Sequence, residues 1–242
     1  MNTLTDKNKL VTVVKWLSDM GDYQPLKLES NSNNLFKNKT NDLDNNFPQL
    51  SNFKDLIKEV KDFKDLNSLF SEYMVNNFSN YNDDYKFYDG NIQSDLMVIG
   101  DKPSEIDLQV GLPFQGEIGK LLDAMLKAIK FDRNNTYYTN LNYRENIAND
   151  EKDFFDAFIH KQIELVLPKI IIMFGAEVTK AMTNENLGIF ATRGKWFNIK
   201  STSINNKLLA ISMFHPRQLI SKPENKKEAW IDLKEIRNKY SH

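Results

Sequence analysis

The chain is 242 residues long, with 32 Lys/Arg against 33 Asp/Glu and a formal net charge of −1. That balance excludes a protein that coats nucleic acid by bulk charge, while leaving room for a local basic face. Cysteine is absent, which excludes disulfides, thiolate nucleophiles and zinc or iron–sulfur sites built on thiolates.

The first predicted element is a short amphipathic helix over Leu10–Met20, ending at Gly21. Ser30–Asn46 is dominated by Asn, Asp, Lys and Ser and reads as a flexible linker. Phe53, Leu56, Ile57, Val60, Phe63, Leu66, Leu69, Phe70, Tyr73 and Met74 keep helical spacing, which predicts one or two helices packed on a sheet edge. Asn76–Asp89 reads as a loop. Residues 1–90 are thus expected to form a helical and flexible N-terminal extension, and residues 91–242 an α/β domain.

Within that domain, Leu96–Ile99 is an apolar run of the kind that fills a parallel strand covered on both faces. Gly100 ends it, and Pro103 and Pro113 predict irregular chain up to a helix over 117–130. Alternation then continues: strand 137–140, helix 151–167, strand 169–174, helix 175–184, strand 208–213 and helix 224–239. Strands separated by helices of this length imply right-handed crossovers. The fold class is therefore α/β, three-layer α/β/α, with a central, mainly parallel four-stranded sheet.

Open sheets of this kind bind ligands beyond the carboxyl ends of their strands. Gly100, Asp101, Lys102, Asp107 and Phe114 follow one such end, Asn140 closes a second, and His215 follows a third. An imidazole can donate to a departing group, an amide offers a donor and an acceptor side by side, and a carboxylate can orient water. Taken singly these residues have plain alternatives: a His-Pro loop tip, an Asn capping a turn, a core Phe. From Ala191 onward eleven Lys/Arg face four Asp/Glu, a surplus of seven positive charges. That surplus reads either as a phosphate-facing surface or as a solvated helix. The three His at 160, 215 and 242 have no paired spacing, so no metal site is expected.

Gly100-Asp101-Lys102-Pro103-Ser104, Asp107, Gly111-Leu112-Pro113-Phe114-Gln115-Gly116 and Gly119-Lys120-Leu121-Leu122 are followed in order by Tyr138-Thr139-Asn140 and Phe214-His215-Pro216. Weaker members of the set are Ile170–Gly175, Arg193-Gly194-Lys195-Trp196 and Lys226–Leu233. This ordered set resembles the family 4 uracil-DNA glycosylases and covers Asp95 to Tyr240. The resemblance implies excision of uracil, or another deaminated base, from DNA after base flipping. It also implies roles: Gly100, Phe114 and Asn140 hold the base, His215 donates to its carbonyl, and Asp101 or Asp107 positions the attacking water. Lys102, Arg193, Lys195 and Arg217 are expected on the DNA backbone. The implied partner is uracil-containing DNA, with no membrane partner, and the protein is expected to be a monomer.

That family carries a four-cysteine iron–sulfur cluster. Arg144 and Asp156 stand where two of its cysteines fall, and the other pair belongs near Phe70–Asn77. The cluster is expected to be absent, and no other cofactor or metal is expected. No apolar run approaches the ~20 residues that span a bilayer. The first residues lack the order of a secretory signal. A cytoplasmic, nucleoid-associated bacterial protein is the expectation, and the Asn and Lys excess suggests an AT-rich genome.

Four residues depart from the family pattern. Asp101 replaces Glu, Lys102 a small residue, Ser104 a Gly whose backbone freedom the loop is expected to use, and Arg217 the Ser after His-Pro. These changes and the missing cysteines motivate a second reading, a catalytically weak or inactive relative that binds nucleic acid or a protein. A nucleotide-binding α/β enzyme is a third, but no glycine-rich phosphate-binding motif accompanies it.

Overall fold

The computed structural model describes residues 50–77, 85–144, 147–199 and 208–240. The helix expected over 10–20 and the linker over 30–46 lie outside them. The chain divides into Met1–Pro48 and Gln49–His242, and the described residues all belong to the second unit. Helices α1 (Leu50–Glu59) and α2 (Phe63–Asn77) therefore share a unit with the sheet.

The sheet has six strands, β1 (Tyr88–Gly90), β2 (Leu96–Gly100), β3 (Thr136–Asn140), β4 (Ile170–Phe174), β5 (Trp196–Ile199) and β6 (Leu208–Met213), in the order β1-β3-β2-β4-β6-β5. The four central strands are parallel, and β1 and β5 are antiparallel edges. These edges are the two strands that the expected four-stranded sheet lacked. They are short and partly exposed, with no apolar run to announce them, whereas β2, β3 and β4 are buried at every position.

Side chains alternate across the sheet. Met97, Ile99, Tyr137, Ile171 and Met173 meet Ile159 and Ile163 of α5 (Asn149–Val166) and Val178 and Met182 of α6 (Ala176–Thr183). The other face is covered by α4 (Gly116–Lys127), α8 (Pro216–Ser221) and α9 (Lys226–Tyr240). A second core joins α1 and α2 to α5 at the β1 edge through Phe70, Tyr73, Phe87, Tyr143, Phe154, Phe155 and Phe158.

The segment between β2 and α4 is not irregular throughout. It contains α3 (Glu105–Val110), with Ser104 as N-cap and Asp107 completing a reciprocal capping box. Pro103 lies before the cap and Pro113 beyond the left-handed Gly111 (φ +82°), so neither proline interrupts the helix. Ser104 itself is extended (φ −82°, ψ 167°), a conformation any residue adopts. The glycine freedom expected at that position is not needed here.

Candidate active site

Parallel register brings the carboxyl ends of four strands together, with Gly100 beside Asn140, Ile99 beside Met173 and Phe174 beside Met213. Beyond β2 the chain stays zipped to its neighbour, because Leu141 N–H donates to Gly100 O at 2.8 Å and Asn142 N–H to Asp101 O at 2.9 Å. Asp101 is thereby fixed at the rim, level with His215 after β6.

His215 caps α8. Its Nδ1 accepts the Arg217 backbone N–H at 3.0 Å, so the neutral ring carries its proton on Nε2. Nε2 lies 3.6 Å from Asp101 Oδ1, beyond hydrogen-bond length. That carboxylate oxygen is buried and has no hydrogen-bond partner. The outer oxygen, Oδ2, lies 3.5 Å from Arg217 Nη1. Burial pushes the imidazole below its usual range, Asp101 pulls it up, and Arg217 adds to the depression. At neutral pH the ring is an uncharged donor facing a carboxylate.

Behind this pair, Phe114 is buried and its ring lies nearly parallel to the imidazole, at 18° with centroids 6.1 Å apart. Asn140 is only 2% exposed, and its Nδ2 has no hydrogen-bond partner. Buried amide nitrogens are rarely left unmatched, because desolvation without a bond is costly. A methyl group added at Gly100 would collide with both Asn140 Oδ1 and Phe114 Cζ. Glycine here keeps the amide and the ring beside the strand end.

Phe114 has a left-handed backbone (φ +55°), which is costly for a bulky residue. Two charged side chains fix it, buried Asp107 and half-buried Arg133. Asp107 Oδ1 accepts Gln115 N–H at 2.6 Å, and Arg133 Nη2 donates to Phe114 O at 2.7 Å. Asp132–Asn135 has the composition of a plain turn, and nothing in it signals that Arg133 reaches back 19 residues.

A cavity of about 310 Å³ opens in front of the pair, lined by Asp101, Phe174, Gly175, Glu177, His215 and Arg217 among others. Phe114 and Asn140 do not line it, so it is a compartment adjoining the amide and ring. Gly175 and Glu177 belong to the strand-Phe-Gly motif and the start of α6, and sequence reading gave them no role.

Two expected site residues are engaged within the fold. Asp107 is buried, and its two oxygens accept the Ser104 and Gln115 N–H groups at 2.8 and 2.6 Å. It braces the loop through both oxygens. Arg193, expected on DNA, has its guanidinium on buried Asp232, on the Glu228 carbonyl at 3.1 Å and over the Phe214 ring. It ties the turn between α7 (Ile189–Thr192) and β5 to α9. Lys195 is exposed next to it, and Lys102 is half-buried between Asp101 and Pro103.

The positions expected for cluster cysteines do not fit an iron–sulfur group. Arg144 pairs with Glu151 at 2.6 Å, and Glu151 also accepts Ala148 N–H at 2.6 Å, fixing the start of α5. Helix α2 meets α5 there through aromatic rings, with Tyr73 stacked on Phe154 at 3.5 Å. Thiolate ligands are absent from the whole chain. Among the described residues, no three His, Asp or Glu side chains converge as a metal cage, and no helix is long and apolar enough to cross a membrane.

The chain is 29% identical over 160 residues to a type-4 uracil-DNA glycosylase of Sulfurisphaera tokodaii, covering 62% of this chain and 71% of that one. It is 27% identical over 157 residues to a protein of the same name from Archaeoglobus fulgidus, covering 61% and 77%. A third relative of that name, from Thermotoga maritima, is 26% identical over 147 residues, covering 57% and 72%. The family model described as the uracil DNA glycosylase superfamily matches residues 87–234, more than half of the chain and every strand of the central sheet, so the protein belongs to the uracil DNA glycosylase superfamily.

Proposed function

We propose that the protein is a monofunctional DNA glycosylase that hydrolyses the bond between deoxyribose and uracil, or another deaminated base, to begin base excision repair. The observation that carries this reading is the buried, unpartnered Asn140 Nδ2, held beside Phe114 by the absence of a side chain at Gly100. An amide left unmatched next to an aromatic face, close to a neutral imidazole donor, suits a planar base with carbonyl and N–H groups on its edge. The names of the relatives support the same activity.

In this mechanism the base leaves the stack and lies against Phe114. Asn140 Nδ2 donates to a base carbonyl while Oδ1 accepts a ring N–H. As the glycosidic C–N bond breaks, the electron pair leaves with the base. His215 Nε2–H donates to the base oxygen where that charge collects. Asp101 faces the sugar, which becomes oxocarbenium-like, and orients a water whose oxygen bonds to the anomeric carbon. One water proton is released, the base leaves and takes up a proton, and an abasic sugar remains. Lys102 and Lys195 supply positive charge for the DNA backbone.

The test uses labelled oligonucleotides with one uracil, single-stranded or opposite G or A, incubated with protein and then treated with alkali. Uracil-dependent breaks are expected with wild type, and His215→Ala is expected to slow them ~100-fold or more, the usual weight of a positioned oxyanion donor. No breaks with DNA binding retained would favour a nucleic-acid-binding relative without catalysis. Unchanged turnover in His215→Ala would remove the imidazole from the mechanism.

A further inference from the structure

Arg217 contacts both members of the Asp101–His215 pair, and does so in two different ways. Its backbone N–H donates to His215 Nδ1 at 3.0 Å, and that contact is fixed by the first turn of α8. Its guanidinium reaches Asp101 Oδ2 at 3.5 Å from a side chain that is 44% exposed. The first contact sets the tautomer and cannot move without unwinding the helix. The second is long, partly solvated and borne on a flexible stem, and such pairs are weak.

We propose that the Arg217 side chain is an ionic latch on Asp101, released when a DNA phosphate takes its place. Arg217 and Asp101 both line the cavity of about 310 Å³ in front of the pair, where the sugar and its flanking phosphate enter if the base lies on Phe114. A guanidinium binds a phosphate bidentately through short charge-assisted bonds, a stronger contact than its present one to the carboxylate. Latched, Asp101 has its charge offset by Arg217. Released, that charge acts on the developing sugar cation and on water. Glu177, which also lines this cavity, repels a phosphate from its own side and biases it towards Arg217. Arg217 is thus a positioning residue that ties the carboxylate to engagement of the backbone and selects polymer over free nucleoside. This inference rests on the glycosylase reading above.

The test compares wild type, Arg217→Ser and Arg217→Lys on two oligonucleotides, one with ordinary linkages and one with a neutral methylphosphonate flanking the uracil. Single-turnover cleavage is measured on each, and DNA binding is followed by anisotropy across a salt series. Wild type is expected to cleave the neutral linkage about tenfold more slowly, as for loss of a charge-assisted contact. Arg217→Ser is expected to treat the two alike, and Arg217→Lys to restore part of the difference. The slope of log affinity against log salt should fall by about 0.7 to 0.9 in Arg217→Ser, the value for one phosphate contact. An unchanged slope, or discrimination in Arg217→Ser equal to wild type, overturns the latch. Failure of wild type to cleave either substrate counts instead against the glycosylase reading. In that case the salt slope still decides whether Arg217 holds a phosphate.

Discussion

Arg133 donates from Nη2 to the Phe114 carbonyl oxygen at 2.7 Å, and the residue it grips is the one with a left-handed backbone (φ +55°). The guanidinium is itself held by Asp89, by Asp123 at 3.1 Å from Nε, and by the Tyr138 ring, whose centroid lies 4.7 Å away. On the far side of the same turn, Asp107 takes Gln115 N–H at 2.6 Å. A strained aromatic residue is thus clamped from both flanks by charged groups that are themselves held in place. Strain held this way is characteristic of sites where a side chain must wait in a defined pose.

Arg133→Lys tests the clamp. Lysine keeps a charge near Asp89 but lacks the planar fork that serves two carboxylates and a carbonyl together. Uracil excision in single turnover is expected to slow ~10- to 100-fold, the range that sub-ångström to ångström misplacement produces. Binding of undamaged DNA should be unaffected, because Arg133 does not line the cavity at the catalytic rim. Equal excision rates would mean that Phe114 keeps its pose without the guanidinium.

Gly100→Ala probes the other side of the same pocket. The new methyl group collides with Asn140 Oδ1 and Phe114 Cζ, so the amide and the ring are pushed apart from their present positions. Overpacking of this kind costs about 1–3 kcal/mol, which for a chain of this size lowers Tm by roughly 2–12 °C. The expected excision loss is ~100-fold or more at temperatures where the variant remains folded. A variant with reduced Tm but full excision would place base recognition away from Gly100.

The parallel core was legible because each central strand is buried on both faces and must be apolar throughout, as Leu96–Ile99 and Ile170–Phe174 are. The edges β1 and β5 were not, since a strand with one exposed side needs no such run. Helix α3 was hidden by Pro103 and Pro113, although its Ser104 and Asp107 carry a capping signature. Asp101, Phe114, Asn140 and His215 could be named in advance because motif order survives in sequence. Their supports could not. Arg133 reaches Phe114 across 19 residues and Arg193 reaches Asp232 across 39. A charged residue bound inside the fold has the same letter as one that waits for phosphate. Arg193 is expected on DNA for that reason, and only the position of Asp232 shows what its guanidinium holds in the fold.

The acid side of the pH dependence follows from His215. Its folded-state pKa is depressed, chiefly by burial, from the ordinary value of 6.5. Between the depressed value and 6.5 the unfolded chain binds a proton there that the folded protein does not. The imidazole's contribution to stability is therefore fully present above pH 6.5 and declines as pH falls towards the folded-state value. Excision should show no inflection near pH 6.5, because the bound ring stays neutral through that range. Thermal melts of wild type and His215→Gln between pH 5 and pH 8 check the linkage, with a smaller acid loss expected in the variant. An inflection of the excision rate near pH 6.5 that disappears in His215→Gln would mean a solvated, ordinary imidazole.

The aromatic core at the β1 edge gives the last prediction. Tyr73 stacks on Phe154 at 3.5 Å and 13°, Phe70 stacks on Phe158 at 5.1 Å, and Tyr143 meets Phe70 edge-on at 4.8 Å. These rings join α2 to α5 where the sequence resemblance leads cysteine ligands to be expected, and Arg144–Glu151 fastens the loop between β3 and α5. Side-chain packing then does the holding at this edge of the fold. Phe154→Ala should cost about 3–5 kcal/mol, enough to lower Tm by roughly 6–20 °C. The purified protein should be colourless, with iron and zinc far below one per chain, and a chelator should leave Tm unchanged. Stoichiometric iron, or a Tm that falls on chelation, would show that a metal rather than these rings secures α2 to α5.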